Sequence, residues 1–445
     1  MMLFLSLHLL VLILFYCLWR VFSERERGFI WPGGAPAALS TPRGFVLKLA
    51  LLALALRLLC LAVIMLFFPE MIDRGSAVYG WRDDLTYHED ATAFMHLWKG
   101  MYATPSEKTL SIDYLGYPLL LAAVYYVTGP YHVIGVLVNI LFGVLTCIIT
   151  YLLGRETFDE DIGRQGAVLL ALLPLHVYIC CFTLKDPVLL LLIVLAIYFG
   201  HKVIFGKKAA LWLLPVCLSL AAMLILRRQV ALVLGGLILA GLVLSRPWRA
   251  VKLAPLAAVL IFATFLGYNH FKEFTLMDFY SEDILEDQHE MVLSMQAMTP
   301  ELEQKGGLLL ATVGYILPFP TLYPLEKDSD PAYQLESAAF IWNLLAGLSL
   351  VGVLLCWRRR FRDTWLIWTP PLVFFMGQAL MYLDTILDLR RGKFMLTPFA
   401  CLLAVYALRE WKSPARRLWF FIYLIIVLFG MLVYTYFRLK SRGMI

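Results

Sequence analysis

The strongest constraint on this chain is a series of apolar runs too long for a soluble core. Phe45 to Phe68, Tyr131 to Leu153, Val188 to Phe205, Ser337 to Trp357 and Trp365 to Leu383 are each about as long as a membrane span requires. In lipid the backbone finds no water, so runs of this kind fold as helices that satisfy their own hydrogen bonds. The composition agrees: 61% of residues are hydrophobic and 16% charged, against roughly 25% charged in soluble domains. The expected class is an all-α polytopic membrane protein. The net charge of +6 reads as orientation signal and excludes a nucleic-acid partner. All eight cysteines lie in or beside apolar runs, without metal-finger spacing, so they read as small apolar fillers.

Basic residues set the expected topology. Met1 to Phe22 has no basic start and no small-residue cleavage site, which predicts a retained helix. Arg20, Arg25, Arg27, Arg43 and Lys48 place the next linker inside, and Arg358-Arg359-Arg360-Phe361-Arg362 is the strongest inside marker. Counting alternately from these predicts about 12 spanning helices and two partial ones at Tyr117 to Val127 and Leu308 to Tyr323. Gly166 to Phe182 is expected to be one outward crossing. The basic tail (Arg438, Lys440, Arg442) falls on the outer side by this count, against the trend. Three parts are expected: residues 1–44 as an extra helix and linker, 45–411 as the core with outer loops 69–116 and 270–336, and 412–445 as a last helix and tail. Arg57, halfway along the second helix, must pair with something or line a cavity.

Against this apolar background, Trp81 to Ala91 is a dense acidic patch. If the residues from Leu85 are helical, Tyr87, Ala91 and Phe94 share one face, with Asp83 and Asp84 at the start, where carboxylates suit the dipole. The plainer alternative is the cap of an amphipathic surface helix. A catalytic acid pair is the functional reading. Asp84, His88 and Asp90 also admit a divalent cation, Mg²⁺ or Mn²⁺, with His88 and Asp90 as ligands. The count places three basic or mixed clusters on the same outer face: Lys185-Asp186, Arg227-Arg228, and Arg390, Arg391 and Lys393. Each has a plain alternative: a capped helix start, snorkelling arginines, and salt bridges to Asp384 and Asp388. Outer arginines run against the positive-inside trend, and an anionic phosphate would explain them. The acidic run Glu282 to Glu290 reads as a solvated helical face, and His270 and His289 as structural.

The patch resembles the first outer loop of the GT-C superfamily of membrane glycosyltransferases. These include protein O-mannosyltransferases and aminoarabinose transferases, which use polyprenyl-phosphate sugars. Asp83 matches the family's catalytic Asp, and Asp84 stands where Glu is usual. Lys99-Gly100, Tyr114 to Leu119, Asn139 to Phe158, Pro174, Lys185-Asp186-Pro187, Arg227, and Arg390 to Pro398 are similar to later elements in the same order, covering Phe45 to Trp411. The resemblance implies a GT-C-like bundle of about 12–13 helices. It implies transfer of a sugar from a polyprenyl-phosphate donor to a lipid, glycan or protein acceptor, by a single inverting displacement. It also implies a multi-pass protein among membrane lipids, in a bacterial inner (plasma) membrane, with the site facing the periplasm or exterior. Asp83 is the expected base, with Asp84 second. Tyr87, Lys185, Asp186, Arg227, Arg228, Arg390, Arg391 and Lys393 are the expected substrate and phosphate contacts. Two other classes share these features. A flippase or transporter of an anionic lipid-linked glycan predicts internal repeats, which the sequence lacks. A repeat-unit polymerase or ligase would use the large outer segment.

Overall fold

The computed structural model describes residues 42–67, 83–106, 112–206, 209–245, 332–381 and 389–410, with 422, 423, 425, 426 and 429. The first expected helix, the apolar run from Leu253, the acidic run at Glu282 to Glu290, and the acids Asp384 and Asp388 lie outside these residues. The described residues form helices, and no strand occurs among them. In chain order these are α1 (Pro42–Phe67), α2 (Asp83–Trp98), α3 (Ile112–Thr128), α4 (His132–Thr157), α5 (Glu160–Leu172), α6 (Pro174–Ile179), α7 (Asp186–Phe205), α8 (Ala209–Leu224), α9 (Arg228–Ser245), α10 (Ala332–Arg359), α11 (Phe361–Met381) and α12 (Leu389–Glu410). Pro42–Leu66, His132–Thr157 and Asp186–Phe205 are long and apolar enough to cross a membrane. α3, α8 and α9 hold shorter apolar stretches, so not every expected crossing reaches spanning length.

α1 shows why the bundle forms. Phe45, Leu49, Ala53, Arg57, Leu61 and Ile64 make a buried stripe at helical spacing, while Leu47, Leu51, Leu59 and Leu66 face outward. Lipid tails are as apolar as leucine, so association depends on close packing, which small residues permit. α4 supplies them: Gly135, Asn139, Gly143 and Cys147 recur every fourth residue on its buried side. α4 packs against α1, α5 and α7; α7 packs against α8, α10 against α12, and α2 against α3.

The outward path after α5 differs from the single crossing expected between Gly166 and Phe182. Leu173 is extended (φ −66°, ψ 116°) and Pro174 starts a new six-residue helix. Proline lacks the N–H that would continue α5, and it pushes the preceding residue out of the α region. Residues 180–185 are then non-helical. Such backbone is tolerated at membrane depth only inside protein, and every residue from 166 to 191 is buried.

The two ends of the bundle differ in chemistry. At one end the C-termini of α4, α7, α10 and α12 meet the start of α5. There Lys202 pairs with Glu156 at 3.3 Å, Arg409 with Asp159 at 2.5 Å, and Arg359 with Glu410. Asp159 also caps α5, accepting from the Ile162 N–H. The mixed charges between Arg155 and Arg164 thus join the Arg358 to Arg362 end. The acidic helix α2 lies at the opposite end, against α3 and the start of α4.

Candidate active site

α2 begins at Asp83, so both acids sit in its first turn. Asp84 is buried and accepts from the Leu85 N–H at 3.0 Å, whereas Asp83 is half-buried. The face expected from the sequence, Tyr87, Ala91 and Phe94, is the buried one. Two tyrosines of α3 receive it. Tyr87 meets Tyr117 edge-on at 5.3 Å between ring centres. The Tyr125 hydroxyl lies 2.9 Å from His88 Nδ1, and the His132 ring at the start of α4 lies 5.0 Å from the His88 ring. Tyr87 therefore belongs to the α2–α3 contact and not to an open ligand face.

Of the cation set suggested at Asp84, His88 and Asp90, the last two are held by other segments. Residues two apart on a helix point to different sides. His88 is engaged with Tyr125, and both Asp90 oxygens accept from Ser106, from its N–H at 2.7 Å and its hydroxyl at 2.8 Å. Asp90 thereby ties the chain after α2 back to the helix. Among the described residues no group of three or more His, Cys, Asp or Glu side chains is placed to hold a metal ion.

The next cluster arrives through a backbone contact. The Gly116 N–H donates to the Ile225 carbonyl at 3.0 Å. A Cβ on Gly116 would stand 2.5 Å from that oxygen, so glycine is needed for the approach. The contact brings the α8–α9 turn, with Arg227 and Arg228, against α3 directly beside the Tyr87–Tyr117 pair. Both arginines are half-buried, and Arg228 opens α9.

Lys185-Asp186 comes from the other side. Asn139 of α4 donates both amide hydrogens, to Phe182 O at 2.6 Å and Leu184 O at 2.8 Å. Those two bonds satisfy carbonyls that the non-helical segment leaves without helical partners. They set Lys185 as the residue before α7 and Asp186-Pro187 as its first turn, with no side-chain cap from Lys185. Asp186 is fully buried and Lys185 is buried. The Tyr117 hydroxyl lies near enough to Asp186 to interact with it electrostatically, as it does with Tyr87 and Tyr125. Arg390, Arg391 and Lys393 stand on the first turns of α12. Phe394, which follows them, stacks on His176 of α6 at 5.2 Å.

Three of the four expected clusters thus gather at one end of the bundle around α3. Sequence reasoning missed the organising role of Tyr117, Tyr125 and Asn139. Their signal was the four-residue spacing of Tyr117, Leu121 and Tyr125, which places two hydroxyls along a buried apolar stripe.

Residues 115–268 match the family model described as dolichyl-phosphate-mannose-protein mannosyltransferase. The expected likeness to the GT-C membrane glycosyltransferases is borne out. The matched stretch contains Gly116, Lys185-Asp186 and Arg227-Arg228, and begins after the acidic helix. Two solved structures are similar in shape, both of the Archaeoglobus fulgidus oligosaccharyltransferase. The apo form aligns with TM-score 0.48 and 11% identity, covering 90% of this chain and 55% of that one. The form tethered to an acceptor peptide aligns with TM-score 0.43, 11% identity and the same coverage. The chain therefore spans about half the length of the structures it matches. No curated protein sequence matches it.

Burial lowers the His88 imidazole below the usual histidine value. The unfolded chain, near the ordinary 6.5, then binds the proton first as pH falls. Stability from this site is complete above that value and is lost as pH drops through it towards the folded-state value. The thermal midpoint is expected to fall between neutral pH and about pH 5, and His88→Gln to reduce that fall. An unchanged pH dependence in the variant would rule out His88 as its source.

Proposed function

We propose that the chain transfers a sugar from a polyprenyl-phosphate-linked donor to a hydroxyl of a lipid, glycan or protein acceptor, at the bundle end carrying α2. The observation that carries this reading is the gathering of the acidic helix, Lys185-Asp186 and Arg227-Arg228 around α3. Acids and bases gathered at one bundle end suit a donor whose leaving group is an anionic phosphate. The family match over residues 115–268 supports the donor class.

Asp83 is the general base in this reading. It is half-buried at the start of α2, whereas Asp84 is buried and bonded to the backbone. The acceptor O–H gives its proton to the Asp83 carboxylate as its oxygen bonds to the sugar C1. The bond from C1 to the phosphate oxygen breaks on the opposite face, and the polyprenyl phosphate leaves with the electron pair. Inversion at C1 follows. Lys185, Arg227, Arg228, Arg390, Arg391 and Lys393 neutralise the departing phosphate. Asp84 and Asp186 orient the base and the cations.

The test is transfer of radiolabelled sugar by the purified full-length chain in lipid vesicles, from a panel of polyprenyl-phosphate sugars. Labelled product extended by a single sugar is expected. Growing product chains would favour a polymerase, and movement of intact donor across the bilayer without product would favour a flippase.

A further inference from the structure

Arg57 is a charge that the transfer reading does not use. It lies on the buried stripe of α1 and is fully buried. One guanidinium nitrogen donates to the Ala53 carbonyl at 2.7 Å; another lies 2.5 Å from His176 Nδ1 and 3.7 Å from Cys147 Sγ. The Arg57 carbonyl accepts from the Cys181 thiol at 3.5 Å. Gly143 of α4 leaves the space: a Cβ there would stand 2.8 Å from Arg57 Nε and 2.5 Å from Cys180 Sγ. None of these partners is a carboxylate. Replacing a buried charge by an apolar residue of similar volume is often neutral or stabilising, so packing alone does not account for an arginine here.

The groups it holds explain it better. His176, Cys180 and Cys181 belong to the break in the outward path, where α6 has only six residues. A helix that short does not hold itself together. Downstream of the Arg57 contacts, Asn139 takes over at Phe182 and Leu184 and delivers Lys185-Asp186. On its other side, His176 stacks on Phe394, with an interplanar angle of 21°, directly after the Arg390 to Lys393 turns of α12.

We propose that Arg57 is a positioning residue: its guanidinium clamps the α5–α7 break through His176, and so fixes where Lys185-Asp186 and the start of α12 stand. The proposal rests on the transferase reading of those two clusters. Arg57→Met, Arg57→Lys and His176→Phe in the full-length chain test it. His176→Phe keeps a ring against Phe394 and removes the Nδ1 acceptor. Two quantities are read. One is the rate at which a membrane-permeant maleimide labels Cys180 and Cys181, resolved by peptide mass; the other is kcat and donor KM for sugar transfer.

Arg57→Met is expected to keep the thermal midpoint and to label about tenfold faster through local opening. Its kcat should fall by about 10²-fold, the scale of an ångström-sized misplacement, with donor KM little changed. Arg57→Lys, a point charge in place of a fork, should fall between. If Arg57→Met does not fold, His176→Phe carries both readouts. Unchanged labelling, or faster labelling with unchanged kcat, overturns the proposal. If the wild-type chain transfers no sugar, the transferase reading fails, and labelling alone decides the clamp: faster labelling supports it and equal labelling overturns it.

Discussion

Asp83→Asn is expected to cut sugar transfer by about 10²- to 10⁴-fold, the usual contribution of a positioned general base. The amide keeps the shape of the side chain and cannot take the acceptor proton. Helix α2 should persist, because Asp84 remains in the first turn and the loss of one dipole-facing charge costs only about 0.3–1 kcal/mol. Donor binding should persist as well, since the basic clusters are untouched. Initial rates and donor affinity in lipid vesicles separate the two quantities. A turnover close to wild type would remove Asp83 from the base role. Asp84→Asn is expected to act differently. Asp84 is buried and bonded to the Leu85 N–H, so its loss should appear more in the thermal midpoint than Asp83→Asn does.

Gly116→Ala is expected to damage both the fold and the donor site. The added methyl would stand 2.5 Å from the Ile225 oxygen and 2.9 Å from its carbon. These are backbone atoms, so no side-chain rotation relieves the clash. Either α3 or the α8–α9 turn must shift, and the 3.0 Å bond from Gly116 N–H to Ile225 O is lost with it. Overpacking of this kind costs about 1–3 kcal/mol, and the lost hydrogen bond about 1 kcal/mol more. The shift also carries Arg227 and Arg228 away from the Tyr87–Tyr117 contact. Donor KM should therefore rise along with the drop in thermal midpoint. A variant with wild-type midpoint and wild-type KM would show that this contact does not place the arginines.

The legible part of the fold was whatever depends on one segment in lipid. The long apolar runs had to become helices, and α1, α4 and α7 are such helices. The face of α2 that buries Tyr87, Ala91 and Phe94 followed from helical spacing alone. The break at Leu173-Pro174 was less visible. Pro174 marks a possible helix start, yet the apolar run continues through it without a polar residue until His176. Hydropathy records solubility in lipid and not hydrogen bonding, so it passes over a break whose carbonyls are satisfied elsewhere. Asn139 satisfies them from a residue 43 positions away, a separation that no local pattern encodes.

The candidate site divides in the same way. The residue types, two acids in one helix turn and bases at outer helix ends, were present in the sequence. Which of them meet was not. His88 and Asp90, offered with Asp84 as possible cation ligands, are engaged by Tyr125 and Ser106, from other segments. Arg57 was readable as a buried charge in need of partners. That the partners would be an imidazole, a thiol and a carbonyl could come only from the packing of α1 against α4 and α6.

By itself, then, the sequence determined a helical membrane protein with an acidic patch at one polar boundary, because lipid leaves a backbone few choices and charges little freedom of depth. The tertiary structure decided that the patch is a helix lying on two tyrosines of α3. It also decided that a glycine–carbonyl contact and one asparagine bring Arg227-Arg228 and Lys185-Asp186 to it. Those contacts rest on ångström-scale approach between segments far apart in the chain, and only the folded packing sets such distances.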